Sequence, residues 1–192
     1  MRGEGKIAHG NISARIPGSN DVIIKPTGGD AGKLTPRELS VVDPYGKPLK
    51  GRKPSTETDI HCAIYRARPE INGVIHVHAP YAIALSTSNI PIVAWSDEGL
   101  CVQGVPIIPR VDYDRTKQVN SVIEALGKDG RRVMIAHHGP FIIGETLDEA
   151  LLFTFELEQA AWIQWLAYQL PSPKPISMEE AAKLGFPTRV KY

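Results

Sequence analysis

The sequence has little cysteine, almost no net charge and no long apolar stretch. Its 192 residues include two cysteines, Cys62 and Cys101, which are too few for a disulfide framework. With 22 basic and 21 acidic side chains the formal net charge is +1, which excludes charge-driven binding to nucleic acid or to an anionic membrane. The apolar runs are too short to span a bilayer, and nothing near Met1 resembles a signal peptide. These absences predict a globular protein of the reducing cytoplasm.

The length and composition favour one α/β domain that spans residues 1–192. The hydrophobic fraction is 42% and the charged fraction 22%, both close to globular averages. The 17 glycines and 16 prolines punctuate the chain often enough to predict many short connections between alternating strands and helices. Apolar and β-branched spacing predicts the elements themselves. The predicted strands are 21–24, 39–42, 73–77, 105–108 and 132–136, and the predicted helices are 56–67, 79–86, 116–126, 147–168 and 179–184.

Two of these helices carry start signals. Ser55 or Thr56 is the expected N-cap of the first helix, because hydroxyl side chains accept hydrogen bonds from free amides at a helix start. Thr146 and Glu149 have the capping-box spacing at the start of the longest helix. The tail after Pro171 is rich in proline and is predicted to carry only the last, short helix.

Histidine is the feature that points to chemistry. Two tight pairs, His76 with His78 and His137 with His138, leave only His9 and His61 outside them. Residues at i and i+2 of a strand project from the same face, so His76 and His78 can converge on a metal. His137 and His138 follow a predicted strand and are adjacent, so in extended backbone only one of them should join that site. The alternative is that an isolated His-x-His is an ordinary pair of half-buried, hydrogen-bonded strand residues.

A second candidate lies at the start of the first predicted helix, where Ser55 and Thr56 precede Glu57. Free amides and hydroxyls at such a position can bind an anion, and a carboxylate beside them can act as a base. Two further polar turns, 10–13 and 27–28, have the same character. The alternative is that hydroxyl and acidic residues at a helix start only cap the helix and complement its dipole.

Five short motifs follow one another in an order typical of one protein family. They are Gly10-Asn11-Ile12-Ser13, Lys25-Pro26-Thr27-Gly28, Pro54-Ser55-Thr56-Glu57, His76-Val77-His78-Ala79 and His137-His138-Gly139. From Gly10 to about Tyr168 the chain resembles the class II aldolase/adducin family, which includes fuculose-phosphate aldolase and ribulose-phosphate 4-epimerase. The resemblance implies a single three-layer α/β domain, with a central, mostly antiparallel sheet flanked by helices. It also implies a helix before the first motif; only nine residues precede Gly10, so we expect that helix to be missing here.

The resemblance assigns roles to particular residues. His76, His78 and His138 match the family's zinc ligands, and His137 becomes the neighbour that points away. Glu57 matches the proton-transferring base and a possible fourth ligand. The positions that match the family's phosphate-binding groups are Asn11, Thr27, Gly28, Ser55 and Thr56. The implied activity is that of a zinc-dependent lyase, which cleaves a small phosphorylated ketose to dihydroxyacetone phosphate and an aldehyde through a metal-stabilised enediolate.

Two departures from the family pattern leave the reaction open. Trp95 stands where the aldolases have a tyrosine that acts as an acid, and Gly99 stands where the epimerases have an aspartate. The donors that remain as substitutes are Asp97, Glu98, Tyr113 and Tyr192. Decarboxylation needs no such donor, so a metal-dependent decarboxylase is the main alternative, followed by an epimerase or dehydratase and by a non-catalytic, adducin-like assembly domain. Family members are typically homotetramers with sites at subunit interfaces, so we expect that assembly, with a small-molecule substrate and neither nucleic acid nor membrane as partner.

Overall fold

Short strands and helices alternate along the chain. The computed structural model describes residues 10–28, 31–183 and 185; His9, Leu184, Tyr192 and the segment before Gly10 lie outside this description. The strands are β1 Asn11–Arg15, β2 Val22–Ile24, β3 Ser40–Val42, β4 Pro48–Lys50, β5 Gly73–His76, β6 Ile107–Ile108, β7 Arg132–Ile135 and β8 Gly139–Gly144. The α-helices are α1 Thr58–Ala67, α2 Pro80–Ser86, α3 Asp97–Val102, α4 Arg115–Leu126, α5 Leu147–Ala167 and α6 Met178–Lys183.

The eight strands form one sheet in the order β4-β3-β2-β1-β5-β8-β7-β6. β1 pairs antiparallel with both β2 and β5, the β2/β3, β3/β4 and β7/β8 pairs are also antiparallel, and β6/β7 is parallel. The predicted α/β class with a mostly antiparallel sheet is therefore confirmed. The further prediction that residues 1–192 make a single domain stays a prediction.

The described residues fall into two compact units. The first takes the residues up to Val77 together with Ile143–Ala150, and the second takes His78–Ile142 and the residues from Leu151 onward. In the first unit α1 buries a nearly continuous run of side chains that includes Ile60 and Ile64. In the second unit α4 ends at Leu126 and is followed by its C-cap, Gly127, whose positive φ of 56° is one that glycine adopts readily.

All five predicted strands and five predicted helices are present, with ends shifted by a few residues. The expected N-cap of α1 is wrong: Glu57 occupies that position, and no side chain caps the helix there. Ser55 instead contacts the first residue of α1, because the Thr58 hydroxyl donates to the Ser55 carbonyl at 2.6 Å. β1, β4, β8 and α3 are additional elements, and β1 replaces the polar turn expected at 10–13.

Across the described residues, every helix is too short or too polar to cross a membrane.

Candidate metal centre and active site

The pairing of β1 with β5 places polar side chains next to the first histidine. Asn11 lies opposite His76 in the register, and Ser13 lies opposite Val74. Alternate residues of a strand share a face, so Asn11 and Ser13 project to the same side of the sheet. Both are buried, whereas Ile12 between them is only half-buried. A buried polar row on a central strand must be satisfied by hydrogen bonds, and α1 supplies the partners.

Glu57 lies at the N-terminus of α1, where Asn11 and His76 surround one of its oxygens. The Asn11 Nδ2 donates to Glu57 Oε2 at 2.8 Å, and the same oxygen lies 3.3 Å from His76 Nε2. Glu57 is 8% exposed and His76 is fully buried. A carboxylate removed from bulk water in this way interacts strongly with its fixed neighbours, because the surrounding dielectric constant is low.

A chain of buried hydrogen bonds continues from Asn11 away from Glu57. The Asn11 Oδ1 contacts His61 Nε2, and His61 Nδ1 lies 2.6 Å from Ser13 Oγ. Ser13 Oγ in turn lies 2.9 Å from the Tyr65 hydroxyl. Burial raises the pKa of Tyr65, so that hydroxyl stays protonated and can serve as a donor. His61 was unassigned from the sequence, although its position four residues after Glu57 on one helix face was a usable signal.

The second histidine pair lies in the tight turn that joins β7 to β8. His137 has a left-handed φ of 60°, and its backbone amide donates to Ser86 Oγ at 3.3 Å. This turn separates the directions of the two adjacent side chains. The His138 ring faces that of His78, with ring centroids 5.1 Å apart and an interplanar angle of 62°.

The structure brings together His76, His78 and His138. Their available ligand atoms all lie within 4.8 Å of one another, and His137 is outside this group. The strand interpretation of His-x-His needs one correction, because β5 ends at His76 and His78 follows the strand. Three imidazoles form a donor set that suits zinc and similar divalent transition metals.

The residues predicted to bind phosphate occupy neighbouring turns. The Thr27 amide donates to the Lys53 carbonyl at 3.1 Å, and Pro26 and Pro54 form an isolated bridge, so the Thr27-Gly28 turn lies beside the segment that leads to Ser55. A cavity of about 340 Å³ is lined by Ser55, Thr56 and Lys53, among others. The sequence interpretation did not include Lys53, whose positive charge complements an anion.

Asn11 differs from the other predicted phosphate ligands. Its side-chain amide contacts Glu57 with one end and His61 with the other, within the buried network. Its assignment to phosphate binding stays a prediction.

Trp95 and Gly99, which stand where the family has its proton donors, are both described by the structure. The Trp95 ring packs edge-on against Tyr168 with centroids 5.8 Å apart, and its buried Nε1 has no hydrogen-bond partner among the described residues. Gly99 is buried within α3. Of the suggested substitutes, Asp97 and Glu98 lie in the exposed first turn of α3, and Tyr113 is 87% exposed.

Comparison with known proteins gives consistent matches. Residues 1–165 match the family model described as Class II Aldolase and Adducin N-terminal domain. The chain is 34% identical over 154 residues to the 5-methylthioribulose-1-phosphate/5-deoxyribulose-1-phosphate aldolase of Escherichia coli O45:K1, covering 79% of this chain and 71% of that protein. It is 34% identical over 171 residues to the 3-oxo-tetronate 4-phosphate decarboxylase of Escherichia coli K12, covering 84% and 78%. The structure of YgbL from Escherichia coli, a candidate aldolase, epimerase or decarboxylase, matches with a TM-score of 0.79 at 29% identity, covering 93% of this chain and 87% of that one.

Proposed function

The chain belongs to the class II aldolase and adducin family, and from that premise we propose that it is a metal-dependent carbon–carbon lyase. Its proposed substrate is a small phosphorylated ketose, which it cleaves to dihydroxyacetone phosphate and an aldehyde. The observation that carries the proposal is the convergence of His76, His78 and His138, with the buried carboxylate of Glu57 beside His76.

His76, His78 and His138 are the residues that would hold the metal, and zinc is the proposed ion. The donor set fits, because neutral imidazole nitrogens are ordinary zinc ligands and three protein ligands leave a position for substrate. A divalent ion held there supplies a Lewis acid for the negative charge that develops on the oxygens of the substrate. The fit of such an ion depends on all three side chains, so each of them is required.

Glu57 moves the proton. Its carboxylate accepts the proton of the hydroxyl on the carbon that becomes the aldehyde, as the carbon–carbon bond breaks and the C=O bond forms. It returns that proton to the carbon of the dihydroxyacetone phosphate half, so the proton count balances with one base. Asn11 holds Glu57 Oε2 at 2.8 Å while this happens, which restricts the carboxylate to one orientation.

The phosphate group is proposed to bind at the turns that contain Thr27, Gly28, Ser55 and Thr56. A chain of net charge +1 has no general attraction for anions. Recognition must therefore come from local amides, hydroxyls and the Lys53 ammonium group, which lines the same cavity as Ser55. We propose that the enzyme acts in the cytoplasm, where phosphorylated sugars are formed and used.

A metal-dependent decarboxylase is the second candidate, and Trp95 favours it. An indole N–H does not exchange its proton in acid–base catalysis, and Trp95 Nε1 is buried. In a β-keto acid the bond to the carboxylate breaks, CO₂ leaves and one proton is added to the remaining carbon, so no proton has to be taken from a hydroxyl. A relative with this activity aligns as well as the aldolase does. Epimerase, dehydratase and non-catalytic assembly roles have no comparable observation in their favour, and assembly alone gives no reason for three converging imidazoles.

The metal is tested first, by elemental analysis and zinc titration of the purified full chain. We expect one divalent ion per chain, and His138→Ala should lower zinc affinity by at least about 10-fold. His137→Asn is the matched control, because asparagine tolerates the left-handed backbone and His137 lies outside the ligand group. Wild-type protein that binds no divalent metal would refute both enzyme proposals.

The reaction is tested with the metal-loaded protein on ketose 1-phosphates and on phosphorylated β-keto acids. Release of dihydroxyacetone phosphate is the expected result; release of CO₂ alone would select the decarboxylase instead. Glu57→Gln should keep the fold and most of the metal but lower kcat by about 10²–10⁴-fold. Glu124→Gln, on the helix α4, is the control for removal of an acidic charge. Near-normal turnover of Glu57→Gln would show that Glu57 is not the base and has only a structural role at the start of α1.

A further inference from the structure

One fully buried histidine, His61, has no place in the proposed reaction. It lies on α1 at 0% exposure, and both of its ring nitrogens contact side chains of β1. A buried imidazole bonded on both sides is held in one ring orientation and one tautomer. The identity of that tautomer determines what His61 does to the rest of the chain of hydrogen bonds.

The direction of each hydrogen bond follows from the Glu57 end. A carboxylate only accepts, so the Asn11 group that faces it must be the NH₂, as the 2.8 Å contact from Nδ2 requires. Asn11 Oδ1 is then an acceptor, and His61 must donate to it from Nε2–H. In the neutral ring Nδ1 is consequently an acceptor for the Ser13 hydroxyl, which in turn accepts from Tyr65.

We propose that His61 is a positioning residue, which fixes the Asn11 amide in the orientation that directs its NH₂ toward Glu57. The proposal rests on the proposed function, in which Glu57 is the base. Without the Nε2–H donor, the Asn11 amide would be held only at its NH₂ end, and its buried Oδ1 would lose its His61 partner. The amide could then tilt away, and the Glu57 oxygen would lose the donor that holds it in its place 3.3 Å from His76 Nε2.

The same chain does not conduct protons. A carboxamide would have to become an imidic acid to pass a proton from His61 to Glu57, so Asn11 interrupts any relay. The chain is also anchored at its far end, because the Arg15 guanidinium lies 5.0 Å from the centre of the Tyr65 ring and donates to the Tyr65 carbonyl at 2.9 Å. The arrangement therefore orients groups and does not transfer charge.

The structural part of the test needs no substrate. Selective ¹⁵N labelling of histidine and asparagine in the full chain reports the His61 tautomer and the Asn11 side-chain amide by NMR. We expect a protonated Nε2, an unprotonated Nδ1 and an Asn11 NH₂ pair that exchanges slowly with water. A ring protonated only on Nδ1 would overturn the proposal, because Nε2 could not then donate to Asn11.

Variants separate orientation from general stability. His61→Phe removes the donor, and should accelerate exchange of the Asn11 NH₂ and lower kcat by about 10–100-fold with KM changed less than about twofold. His61→Gln keeps an N–H donor, and should restore slow exchange and most of kcat. Cys62→Ala is the control, since it shortens a neighbouring buried side chain of α1 that is outside the hydrogen-bonded chain. If His61→Phe does not fold, the wild-type tautomer and His61→Gln still decide the question.

The variants of Glu57 and His61 distinguish a failure of this proposal from a failure of the proposed function. If Glu57→Gln abolishes turnover while His61→Phe has wild-type kcat, then Glu57 is the base and His61 does not position it. If Glu57→Gln has no effect, the base assignment is wrong, and the Asn11 exchange rates still show whether His61 orients the amide. If His61→Phe and Cys62→Ala lower kcat equally, the effect is one of stability and the proposal is refuted.

Discussion

Gly10 controls how closely β1 can approach β5 at the candidate site. Its φ is +104°, and a Cβ atom placed on it would lie 2.6 Å from the His76 carbonyl oxygen. The next residue, Asn11, is the one that pairs with His76 and holds Glu57. A side chain at Gly10 therefore has both a conformational cost and a steric cost, and the steric cost falls on the backbone that carries a metal-ligand candidate.

We predict that Gly10→Ala reduces both stability and activity. Gly18→Ala is the matched control, because Gly18 also has a positive φ, of +73°, but a Cβ there would meet nothing within 4 Å. Gly18→Ala should lower the free energy of unfolding by about 1–2 kcal/mol and leave kcat unchanged. Gly10→Ala should cost more and also lower kcat, as measured by urea unfolding and steady-state assays. Equal effects of the two substitutions would show that the close approach of the strands is unimportant.

At this scale the sequence predicted residue types better than residue partners. The spacing of His76 and His78 and the position of Glu57 made these residues candidates, and the family resemblance assigned their roles. Asn11 was also a candidate, but as a phosphate ligand. Its side-chain contacts with Glu57 and His61 could not be predicted from the sequence pattern. Partners of buried polar groups are set by packing between distant segments, and no local pattern encodes them.

The elements with strong local signals were predicted and those without were not. β5 and β7 are β-branched or apolar runs, and α4 has helical apolar spacing that ends before a glycine. α5 follows a capping-box pattern and contains neither glycine nor proline. β1 carries Asn11 and Ser13, which are common in turns, and it is a strand because β2 and β5 pair with it on both sides. β8 begins with Gly139 and Pro140, which are also typical of loops. Strand formation there depends on tertiary context more than on intrinsic preference.

The N-terminus of α2 is capped by a side chain of another helix, α5. Its N-cap, Ala79, has no side chain that could accept a hydrogen bond, and Pro80 follows. Glu158 of α5 takes that role, accepting from the Tyr81 amide at 2.9 Å and the Ala82 amide at 3.1 Å. Burial raises the pKa of Glu158, although these two hydrogen bonds act in the opposite direction.

This pKa has a defined consequence for stability. Since the pKa is higher in the folded than in the unfolded chain, protonation of Glu158 favours folding; the effect is complete below the unfolded-state pKa and is lost as pH rises through the folded-state pKa. We predict that Glu158→Gln, which does not titrate, gains stability relative to wild type as the pH increases from about 4 to about 7. Urea unfolding across this range measures the difference, with Glu179→Gln of α6 as the control. A constant difference would contradict the raised pKa.

At the scale of the whole molecule, the site depends on a strand order that no local sequence pattern reveals. Asn11 and His76 are 65 positions apart, yet they are direct partners in the β1/β5 register. β8 lies between β5 and β7 in the sheet although it follows both in the chain. Such non-local pairings result from the packing of all segments together. The resemblance to a known family supplied the fold from five motifs, whereas periodicity alone supplied only separate elements.

The long helix α5 carries several large apolar side chains that are exposed to solvent. Phe155 is 64% exposed, Leu152 is 55% exposed and Trp162 is 47% exposed. Large exposed apolar patches commonly mark protein–protein interfaces, because covering them removes apolar surface from water. We propose that a second copy of this chain covers α5, within the homotetramer expected from the family resemblance.

The assembly is predicted to depend on Phe155. Wild-type protein should have a mass four times the 21.0 kDa of one chain by light scattering, and Phe155→Asp should shift it to smaller species, because a buried carboxylate without a partner is strongly unfavourable. Leu49→Asp, at a residue 53% exposed on β4, is the control and should leave the mass unchanged. If the active sites lie at subunit interfaces, Phe155→Asp should also lose turnover while circular dichroism shows an intact fold. Wild-type protein with the mass of one chain would refute the tetramer, and a tetrameric Phe155→Asp would remove α5 from the interface.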